Sequence, residues 1–524
     1  MNFIDLFCGC GGFSLGLKWA SLEELAAIDF NHHAINVFKA NFPESPNALE
    51  KDLRRFTPEM LREIIGDQEV DLIVGGPPCQ GFSTVRQRDG SNSGNRIIDD
   101  DRRELYQELL KYVAYFRPKI FVMENVLGIR SAAGGHFFNK VQSEARDLGY
   151  RVHSEIIKAW EYGVPQKRER QFIFGTLLDL PIFSSKLFLE KTHSFNPNPP
   201  QKRIVTLWEA IGDLPPLKAG DGFEVMEYDK DRREKHLTRF SARYIENVLH
   251  VSENKYLTAH RARPHSERDL RDFKKIKEGE TGAKTLLRHI ELEAPYDRST
   301  FKDRYTKQDR NSLCSTIVAH LSKDGLMFIH PTQNRSLTPR EAARIQSFPD
   351  SFNFPVSRTQ QYQLIGNAVP PLVGKAVGIA INKWFNYIKV DQKLGDDLEV
   401  NEEVAKNWVA ELLTYKKNGN FTGMSNDLLI RGWKGILFLN YHLHPEGFFE
   451  NGSATVEDSY SQISGVPELN ENNLYIYERS GWPLILVPYA QEVRRRFELG
   501  SVSVEDYYCN SYLIQGFLHA NKGK

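Results

Sequence analysis

A single cysteine stands in an unusual setting at the end of a predicted strand. The segment Asp71–Ser83 reads DLIVGGPPCQGFS, so two glycines and two prolines separate the apolar run from Cys79. Proline restricts the backbone and lacks a donor, while glycine lets another group approach closely. A structural cysteine normally has apolar neighbours, whereas a polar segment follows this one. The pattern predicts a thiol held at the edge of a cleft.

A glycine-rich turn follows the first predicted strand and suggests a cofactor site. In DLFCGCGGFSLGL the glycines are Gly9, Gly11 and Gly12, and Asp29 ends the second predicted strand 20 residues after the first of them. In this arrangement backbone amides approach the polar tail of a nucleoside-bearing cofactor, and the acid binds the ribose hydroxyls. Ser14 replaces the third glycine of the G-x-G-x-x-G pattern, which argues against NAD and allows a cofactor without a pyrophosphate. A tight turn without a ligand is the alternative.

A carboxylate and two arginines add further chemistry. Glu124, in MENVLGI, ends a strand that we expect beside the strand preceding Cys79, where it can exchange a proton near the thiol. Arg168 and Arg170, in YGVPQKRER, alternate along an extended segment and therefore share one face. Two guanidiniums on one face can hold a base oxygen, a phosphate or the acid. The alternatives are a helix-capping glutamate and solvent-exposed arginines.

Two cysteines in the glycine-rich turn raise the question of a metal or redox pair. Cys8 and Cys10 have C-x-C spacing. A closed zinc site needs a second pair of ligands, and the turn does not supply one. We therefore predict that both are small packing residues and that the site uses no metal.

The elements that must position these residues alternate between short apolar runs and helical patterns. The predicted strands are Phe3–Phe7, Glu24–Asp29, Val70–Gly76, Lys119–Asn125 and Arg170–Thr176. The segments NHHAINVFKANF and RRELYQELLKYVAYF have apolar residues three or four apart, as helices do. The alternation predicts an α/β fold with a doubly wound, mostly parallel sheet. Ligands of such sheets bind at the carboxyl ends of strands, where Cys79 and Glu124 fall.

The alternation ends after the first 176 residues. From about Leu177 to Leu321 the sequence is polar, basic and interspersed with aromatic residues, which predicts a separate loop-rich module. Order returns with a predicted strand at STIVAH, a helix at TPREAARIQSF and a long helix from Pro371 to about Ile388. Beyond KVDQKLGDDLEVNEE the composition becomes acidic and aromatic, which indicates a further unit.

Composition is that of a soluble globular protein. The 524 residues are 40% hydrophobic and 26% charged, with a net charge of zero. Asp391–Lys524 has 12 basic and 19 acidic residues, so the remainder carries a positive excess that suits a polyanionic partner. No apolar run is long enough to span a bilayer, no secretory signal is visible, and five scattered cysteines fit a reducing compartment. We expect a cytoplasmic, non-membrane protein.

Seven sequence blocks resemble the C5-cytosine DNA methyltransferase family of bacterial restriction–modification systems. The blocks are DLFCGCGGFSLGL, DFNHHAINVFKANFP, GGPPCQGFS, ENVLGI, YGVPQKRER, RSLTPREAARIQSFPD and QLIGNAVPP. Their order and approximate spacing are similar to those of the family over roughly residues 1–390. The resemblance implies a Rossmann-like, S-adenosylmethionine-dependent methyltransferase sheet with an inserted, loop-rich target-recognition domain. We expect a C-terminal α+β accessory domain beyond it.

The resemblance implies a covalent route to methylated cytosine. Cys79 would add to C6 of the base, which makes C5 nucleophilic, and thiols suit this step because they both add and leave readily. Glu124 would hydrogen-bond N3 and the exocyclic amine. Arg168 and Arg170 would steady the base oxygen and neighbouring carboxylates or phosphate.

The implied cofactor is S-adenosylmethionine, bound by residues from distant blocks. Matching positions implicate the turn, the ends of the next two strands, the residue before the thiol and the GNAV segment. They are Phe7, Gly9, Gly12, Asp29 for the ribose, Phe30 for the adenine ring, Asp52 for the adenine amine, Pro78, Asn367 and Val369. The last block follows the turn by about 350 residues, so its helix must fold back onto the first domain.

The implied substrate is a specific sequence of double-stranded DNA. The target nucleotide must leave the duplex to reach the thiol, and residues 83–101 are expected to close over it. We predict a catalytic part at 1–176, target recognition at 177–321, completion of the catalytic domain at 322–390, and an accessory domain at 391–524. We expect a monomer whose accessory domain could bind a protein partner. An RNA cytosine methyltransferase and a DNA-binding module without catalysis are the alternative functions.

Overall fold

A computed structural model of the chain describes residues 1–78, 105–177, 189–293, 305–323, 325–396 and 407. The first elements alternate between strands and helices. They are β1 (Asn2–Leu6), α1 (Gly12–Trp19), β2 (Glu23–Asp29), α2 (His32–Asn41), β3 (Ala48–Glu50), α3 (Pro58–Ile65), β4 (Leu72–Gly75), α4 (Leu105–Phe116) and β5 (Ile120–Asn125). Three further elements complete this part of the chain: α5 (His136–Asp147), β6 (Tyr150–Lys158) and β7 (Glu169–Leu177).

The seven strands form one sheet in the order β3-β2-β1-β4-β5-β7-β6. The pairs β2–β3, β1–β2, β1–β4 and β4–β5 are all parallel. The strand order therefore reverses at β1, and the crevice beyond the carboxyl ends of β1 and β4 is where such sheets bind ligands. The predicted α/β fold is confirmed.

The five predicted strands agree with β1, β2, β4, β5 and β7 to within two residues at each end. The sequence analysis missed β3 and β6, together with α3 and α5. The strand β3 has only three residues, which is too few to display a two-residue repeat. Long apolar runs therefore identified the buried centre of the sheet, while its edges escaped prediction.

The part that follows the sheet consists of short elements. They are β8 (His193–Ser194), β9 (Lys202–Arg203), α6 (Leu207–Ile211), β10 (Gly222–Met226), α7 (Lys230–His236), α8 (Ser241–Asn247), β11 (Leu257–Arg261), α9 (Glu267–Lys275) and α10 (Gly282–Leu287). Of these strands, β10 and β11 pair antiparallel. The assignment of 177–321 to target recognition remains a prediction.

The prediction of a strand at STIVAH was wrong. Residues Ala319–Ser322 form a 3-10 helix, and Cys314 makes only an isolated bridge with Gln166. The main chain of Ile317 instead bonds to two side chains, because its amide donates to Gln166 and its carbonyl accepts from Arg168. Side chains from another segment thus replace the strand neighbours that an apolar run would normally have.

Three helices complete the described fold: α11 (Pro339–Ile345), α12 (Arg358–Asn367) and α13 (Pro371–Asp396). The Thr338 side chain and Glu341 form a capping box at the start of α11. The helix α13 continues past the predicted end near Ile388. One helical stretch, Arg358–Phe385, is long and apolar enough to cross a membrane, but 72% of its most apolar window is buried inside the protein, as in a core helix.

Buried ion pairs hold α11 and its flanks. The Arg335 guanidinium donates to both Glu341 oxygens at 2.7 and 2.8 Å. Arg344 contacts Asp213 at 2.6 Å and Asp350 at 2.5 Å. These five side chains are almost completely inaccessible to solvent, so the region is held by charges that satisfy one another.

The helix α13 and the residues before it return to the glycine-rich turn. A Cβ added to Gly12 would lie 2.3 Å from the Val369 carbonyl oxygen, and one added to Gly16 would lie 2.3 Å from the Pro371 carbonyl oxygen. Only glycine fits where two backbones approach this closely. The prediction that the last block folds back onto the first domain is confirmed.

The chain divides into two compact units. The first contains Met1–Glu144, Ser154–Phe174 and Leu189–Ala380, and the second contains Ala145–His153, Gly175–Phe188 and Ile381–Lys524. Most of the second unit lies outside the described residues, and the accessory domain therefore stays a prediction. All side chains of the candidate site described below belong to the first unit.

Candidate active site

The turn after β1 depends on left-handed backbone conformations. Phe7, Gly9 and Gly11 have φ angles of 59°, 56° and 92°. Glycine adopts such angles without a steric penalty, and at Gly11 an added Cβ would also lie 2.5 Å from the Phe42 ring. The turn therefore bends back sharply after β1, with the Gly11 amide donating to the Cys8 carbonyl at 3.0 Å.

Asp29 ties the end of β2 to this turn. Its two carboxylate oxygens accept the amide hydrogens of Gly9 and Asn31 at 2.9 and 2.8 Å. Burial raises the pKa of Asp29, although these hydrogen bonds act to lower it. Each oxygen keeps a second lone pair, so the carboxylate can also accept ribose hydroxyls.

The predicted adenine contacts follow neighbouring strands. Phe30 comes directly after β2, and 65% of its surface is exposed. Asp52 comes just after β3, which pairs with β2 through Asp29 and Glu50. The Arg54 guanidinium donates to the Asp52 carboxylate at 2.6 Å and holds its pKa below the usual range. An exposed aromatic ring and an ionised carboxylate thus lie at adjacent strand ends.

The GNAV segment closes the other side of the turn. Val369 is largely buried, and its carbonyl oxygen faces Gly12 at the separation described above. Asn367 is the last residue of α12 and is exposed. The structure therefore brings Gly12 and Val369 together, as predicted for residues of one cofactor pocket.

The acid and the segment that precedes the thiol also meet. Gly75 of β4 pairs with Met123 of β5, so Glu124 lies beside the glycine–proline segment as the sequence predicted. A Cβ on Gly76 would be 3.4 Å from a Glu124 oxygen. Pro78 is the last described residue of this segment and is half-buried. Cys79 itself, and residues 83–101, lie outside the described residues.

Glu124 and Arg170 form an ion pair inside a small cleft. The Arg170 Nε atom lies 3.2 Å from Glu124 Oε1, and both side chains are largely buried. The contact is an ion pair without the alignment of a hydrogen bond, because that oxygen has no hydrogen-bond partner. The cleft contains about 190 Å³ of empty space, part of which is open to solvent. It is lined by Glu124, Ile157, Ala159, Arg168, Arg170, Phe172, Val369, Pro370 and Val373. A carboxylate oxygen is therefore held ready for a donor.

The two arginines share this cleft but differ in their contacts. Arg168 is 2% exposed, and its guanidinium donates to the carbonyl oxygens of Ile317 and Gly366 at 3.0 and 3.2 Å. Arg170 contacts Glu124 instead. The sequence predicted the shared face correctly but gave both arginines the same role, because the carbonyl partners of Arg168 lie far away along the chain.

The described cysteines are poor nucleophiles. Cys8, Cys10 and Cys314 are all buried and unpaired with one another. Burial raises the pKa of Cys10 to about 12 and raises those of Cys8 and Cys314. A thiol reacts as its thiolate, so these residues are inert at neutral pH. The prediction that Cys8 and Cys10 are packing residues is confirmed, since both belong to the hydrophobic core.

One acidic residue of this region escaped the sequence analysis. Asp5 lies in β1 with 1% exposure, and the Ser14 hydroxyl donates to it at 2.7 Å. Burial is the main cause that raises the pKa of Asp5 to about 8, and Glu24 and Asp29 act in the same direction. The available signal was a charged residue inside the apolar run FIDLF. Among the described residues, no cluster of His, Cys, Asp and Glu is arranged to hold a metal ion.

The fold and the site together define a class of enzyme. A doubly wound sheet, a glycine turn with an acid at the next strand end, and a glutamate–arginine cleft are features of an enzyme with a nucleoside-bearing cofactor. The family model described as C-5 cytosine-specific DNA methylase matches residues 1–383. The chain belongs to this family and is a DNA (cytosine-5)-methyltransferase.

Individual relatives agree with this membership. The Type II methyltransferase M.DdeI of Desulfomicrobium norvegicum is 36% identical over 409 residues, covering 74% of this chain and 90% of the relative. The Type II methyltransferase M.AgeI of Thalassovita gelatinovora is 31% identical, covering 73% of this chain and 99% of the relative. A crystal structure of a putative DNA modification methyltransferase encoded within an E. coli prophage superposes with a TM-score of 0.57 at 28% identity, covering 74% of this chain and 99% of that one.

Proposed function

We propose that the crevice at the carboxyl ends of β1, β2 and β4 binds S-adenosylmethionine beside a cytosine flipped out of duplex DNA. The observation that carries this proposal is that the Glu124–Arg170 pair and Val369 line the same cleft. Glu124 and Arg170 provide the polar groups for a base, while Val369 connects the same cleft to the glycine turn. The family uses S-adenosylmethionine in general, and the chain's residues fit such a molecule.

The cofactor is assigned to the residues predicted from the sequence. The turn of Phe7, Gly9 and Gly12 accommodates the amino-acid end, with Asn367 and Val369 on the opposite side and Pro78 as part of the wall. Asp29 binds the ribose hydroxyls through its remaining lone pairs. The exposed Phe30 ring stacks on the adenine, and Asp52 accepts its amine. When bound, the cofactor supplies an electrophilic methyl group.

The base is assigned to the residues around the Glu124 cleft. The Cys79 thiolate would add to C6 of cytosine, so that electron density moves to C5. This carbon would then take the methyl group as the sulfur–methyl bond of the cofactor breaks and S-adenosylhomocysteine leaves. Glu124 hydrogen-bonds N3 and the exocyclic amine, which favours the charge that develops on the ring. Arg170 holds the glutamate and the base oxygen. Loss of the C5 proton then expels the thiol and restores the aromatic ring.

The biological role follows from the names of the relatives. Both relatives described above are named Type II methyltransferases. We infer that this enzyme is a bacterial, cytoplasmic modification methyltransferase of a restriction–modification system that acts on a specific duplex sequence. Residues 177–321 would read that sequence, and we expect the enzyme to act as a monomer.

The test is methyl transfer from radiolabelled S-adenosylmethionine to duplex DNA and, in parallel, to transfer RNA. We expect incorporation into DNA, with bisulphite sequencing placing the product at one cytosine of a fixed sequence. A duplex containing 5-fluorocytosine should trap the enzyme covalently, because the C5 position then lacks the proton that must leave.

Matched variants identify the thiol. Cys79→Ser should bind cofactor and DNA but neither transfer methyl groups nor form the trapped adduct. Cys314→Ser changes a buried thiol with a raised pKa and should leave both reactions intact. Trapping of the Cys79→Ser variant, or preferential methylation of transfer RNA, would contradict the proposed function.

A further inference from the structure

The backbone on both sides of Asn367 is held by buried side chains. Asn367 ends α12, and the final carbonyl groups of a helix lack partners within the helix itself. The carbonyls of Ile365, Gly366 and Ala368 all accept hydrogen bonds from side chains of other segments. Asn367 is exposed, so an exposed side chain stands on a stretch of backbone that is fixed from beneath.

Gln346 makes two of these bonds. It follows α11 directly and is fully buried. Its amide nitrogen donates to the Ile365 carbonyl at 2.6 Å and to the Ala368 carbonyl at 3.4 Å. Because one planar group contacts the residues before and after Asn367, rotation of the intervening peptide units would break at least one of these bonds.

Gln166 fixes Gln346 in turn. Its amide nitrogen donates to the Gln346 side-chain oxygen at 2.7 Å and to the Ile345 carbonyl at 3.1 Å. Its own oxygen accepts the amide hydrogen of Ile317 at 2.9 Å. Each of the two glutamine side chains therefore donates two hydrogen bonds through its amide nitrogen and accepts one through its oxygen. This pattern selects one orientation for each side-chain amide.

Arg168 supplies the remaining contact. Its guanidinium joins the Gly366 carbonyl to the Ile317 carbonyl, and Ile317 is the residue whose amide bonds to Gln166. The three side chains therefore form one connected network, which we name the Asn367 clamp: Gln166, Arg168 and Gln346. Buried hydrogen-bond networks of this kind favour a unique local structure.

We propose that Gln346 and Gln166 are positioning residues for methyl transfer, because with Arg168 they fix Asn367 in the place where it binds the amino-acid end of the cofactor. The proposal rests on the assignment of Asn367 to the cofactor site. It also gives Arg168 a role distinct from that of Arg170, since Arg168 acts through the backbone and Arg170 faces the base. Neither glutamine needs to touch the cofactor.

The test uses Gln346→Met, which keeps the length of the side chain and removes its hydrogen bonds. Gln361→Met is the matched control, because Gln361 is equally buried and donates to Glu224 and to the Phe354 carbonyl, away from the clamp. Calorimetry on the full chain should show an S-adenosylmethionine Kd about tenfold weaker for Gln346→Met than for the control, as expected for about two lost hydrogen bonds. The KM for duplex DNA should not change.

Coupling to Asn367 separates positioning from general destabilisation. In an Asn367→Ala background, Gln346→Met should change the cofactor Kd by less than about twofold, since the side chain being positioned is already absent. If Gln346→Met does not fold, Gln166→Met serves instead, because it leaves the two Gln346 bonds in place and should weaken cofactor binding to a smaller but measurable degree.

Equal Kd values for Gln346→Met and Gln361→Met, or full additivity with Asn367→Ala, would overturn the clamp. So would an unchanged Kd for Gln166→Met where that variant replaces the first. A wild-type chain that binds no S-adenosylmethionine would instead contradict the proposed function, so the two failures are distinguishable.

Discussion

Two groups of buried acidic side chains have opposite electrostatic surroundings. Beside the glycine turn, burial raises the pKa values of Asp5, Glu24 and Asp29. Around α11, burial also opposes ionisation of Glu341 and Asp350, but the adjacent arginines outweigh it and lower both pKa values. Around α11, arginine side chains offset the desolvation cost of the buried carboxylates. Beside the glycine turn, mainly neutral hydrogen-bond donors offset it.

The two regions differ in whether the buried carboxylates have cationic partners within the protein. Near α11, the carboxylates of Glu341 and Asp350 already have guanidinium partners in Arg335 and Arg344. Near the turn, the donors are backbone amides and the hydroxyls of Ser14 and Ser45. A cofactor with a sulfonium and an ammonium group would bring positive charge to these carboxylates. We therefore expect the first region to govern stability and the second to govern cofactor binding.

The largest expected effect comes from breaking an ion pair near α11. Arg344→Met leaves Asp213 buried without its cation and leaves Asp350 with only the more distant Arg340 at 3.7 Å. Removal of one partner from a buried pair typically costs about 3–5 kcal/mol. Urea unfolding measures the loss. Arg271→Met is the control, because its partner Glu293 is exposed, and it should unfold at nearly the wild-type urea concentration. Similar losses in both variants would show that the buried pairs are not special.

A smaller effect is expected where the two backbones meet at the glycine turn. Gly12→Ala inserts a methyl group 2.3 Å from the Val369 carbonyl, which must move apart at a cost of about 1–3 kcal/mol. Cofactor binding should be lost along with this stability, as measured by calorimetry. Gly134→Ala is the control, because a Cβ added to Gly134 would have no atom within 4 Å, while the positive φ of Gly134 makes alanine costly there without touching the pocket. It should leave the cofactor Kd unchanged, and a comparable Kd for both variants would refute the pocket.

The pH dependence of cofactor binding tests the charge difference. Asp5 has a pKa raised to about 8, so it is mostly protonated at neutral pH, and we expect a cationic ligand bound in the neighbouring turn to favour its ionisation. Affinity for S-adenosylmethionine should therefore rise severalfold between about pH 6 and pH 8 and then level off. S-adenosylhomocysteine, whose sulfur is neutral, should show a shallower rise, and Asp5→Asn should flatten the profile. The same pH dependence of the Kd for both ligands would mean that the carboxylates do not interact with the sulfonium charge.

The smallest effect concerns one hydrogen bond to Asp5. Ser14→Ala removes the 2.7 Å donor and should cost about 1 kcal/mol of stability at pH 6, where the carboxyl group is neutral. The cost should be larger at pH 9, because a hydrogen bond to an ionised carboxylate is stronger. Urea unfolding at both pH values provides the measurement. A smaller cost at pH 9 than at pH 6 would reverse the assigned protonation of Asp5.

Local patterns predicted the parts of the molecule whose causes are local. Apolar runs located β1, β2, β4, β5 and β7, and the glycines after β1 located the turn, because these features depend on neighbours in sequence. The roles of Arg168 and Gln346 could not be found in the same way. Their partners are carbonyl groups 149 to 198 and 19 to 22 positions along the chain, respectively, and a carbonyl carries no residue-specific signal. The edge strand β3 was too short to display a pattern.

The close approach of Gly12 and Val369 has a consequence for how the enzyme is made. One wall of the pocket is translated at the beginning of synthesis and the other only after residue 369, so a growing chain cannot hold its cofactor until both have left the ribosome. A chain interrupted anywhere before Val369 lacks that wall. Premature termination within this span should therefore yield inactive fragments instead of partly active enzymes. DNA would then be modified only by molecules that already contain residues 177–321, which we propose to read the target sequence.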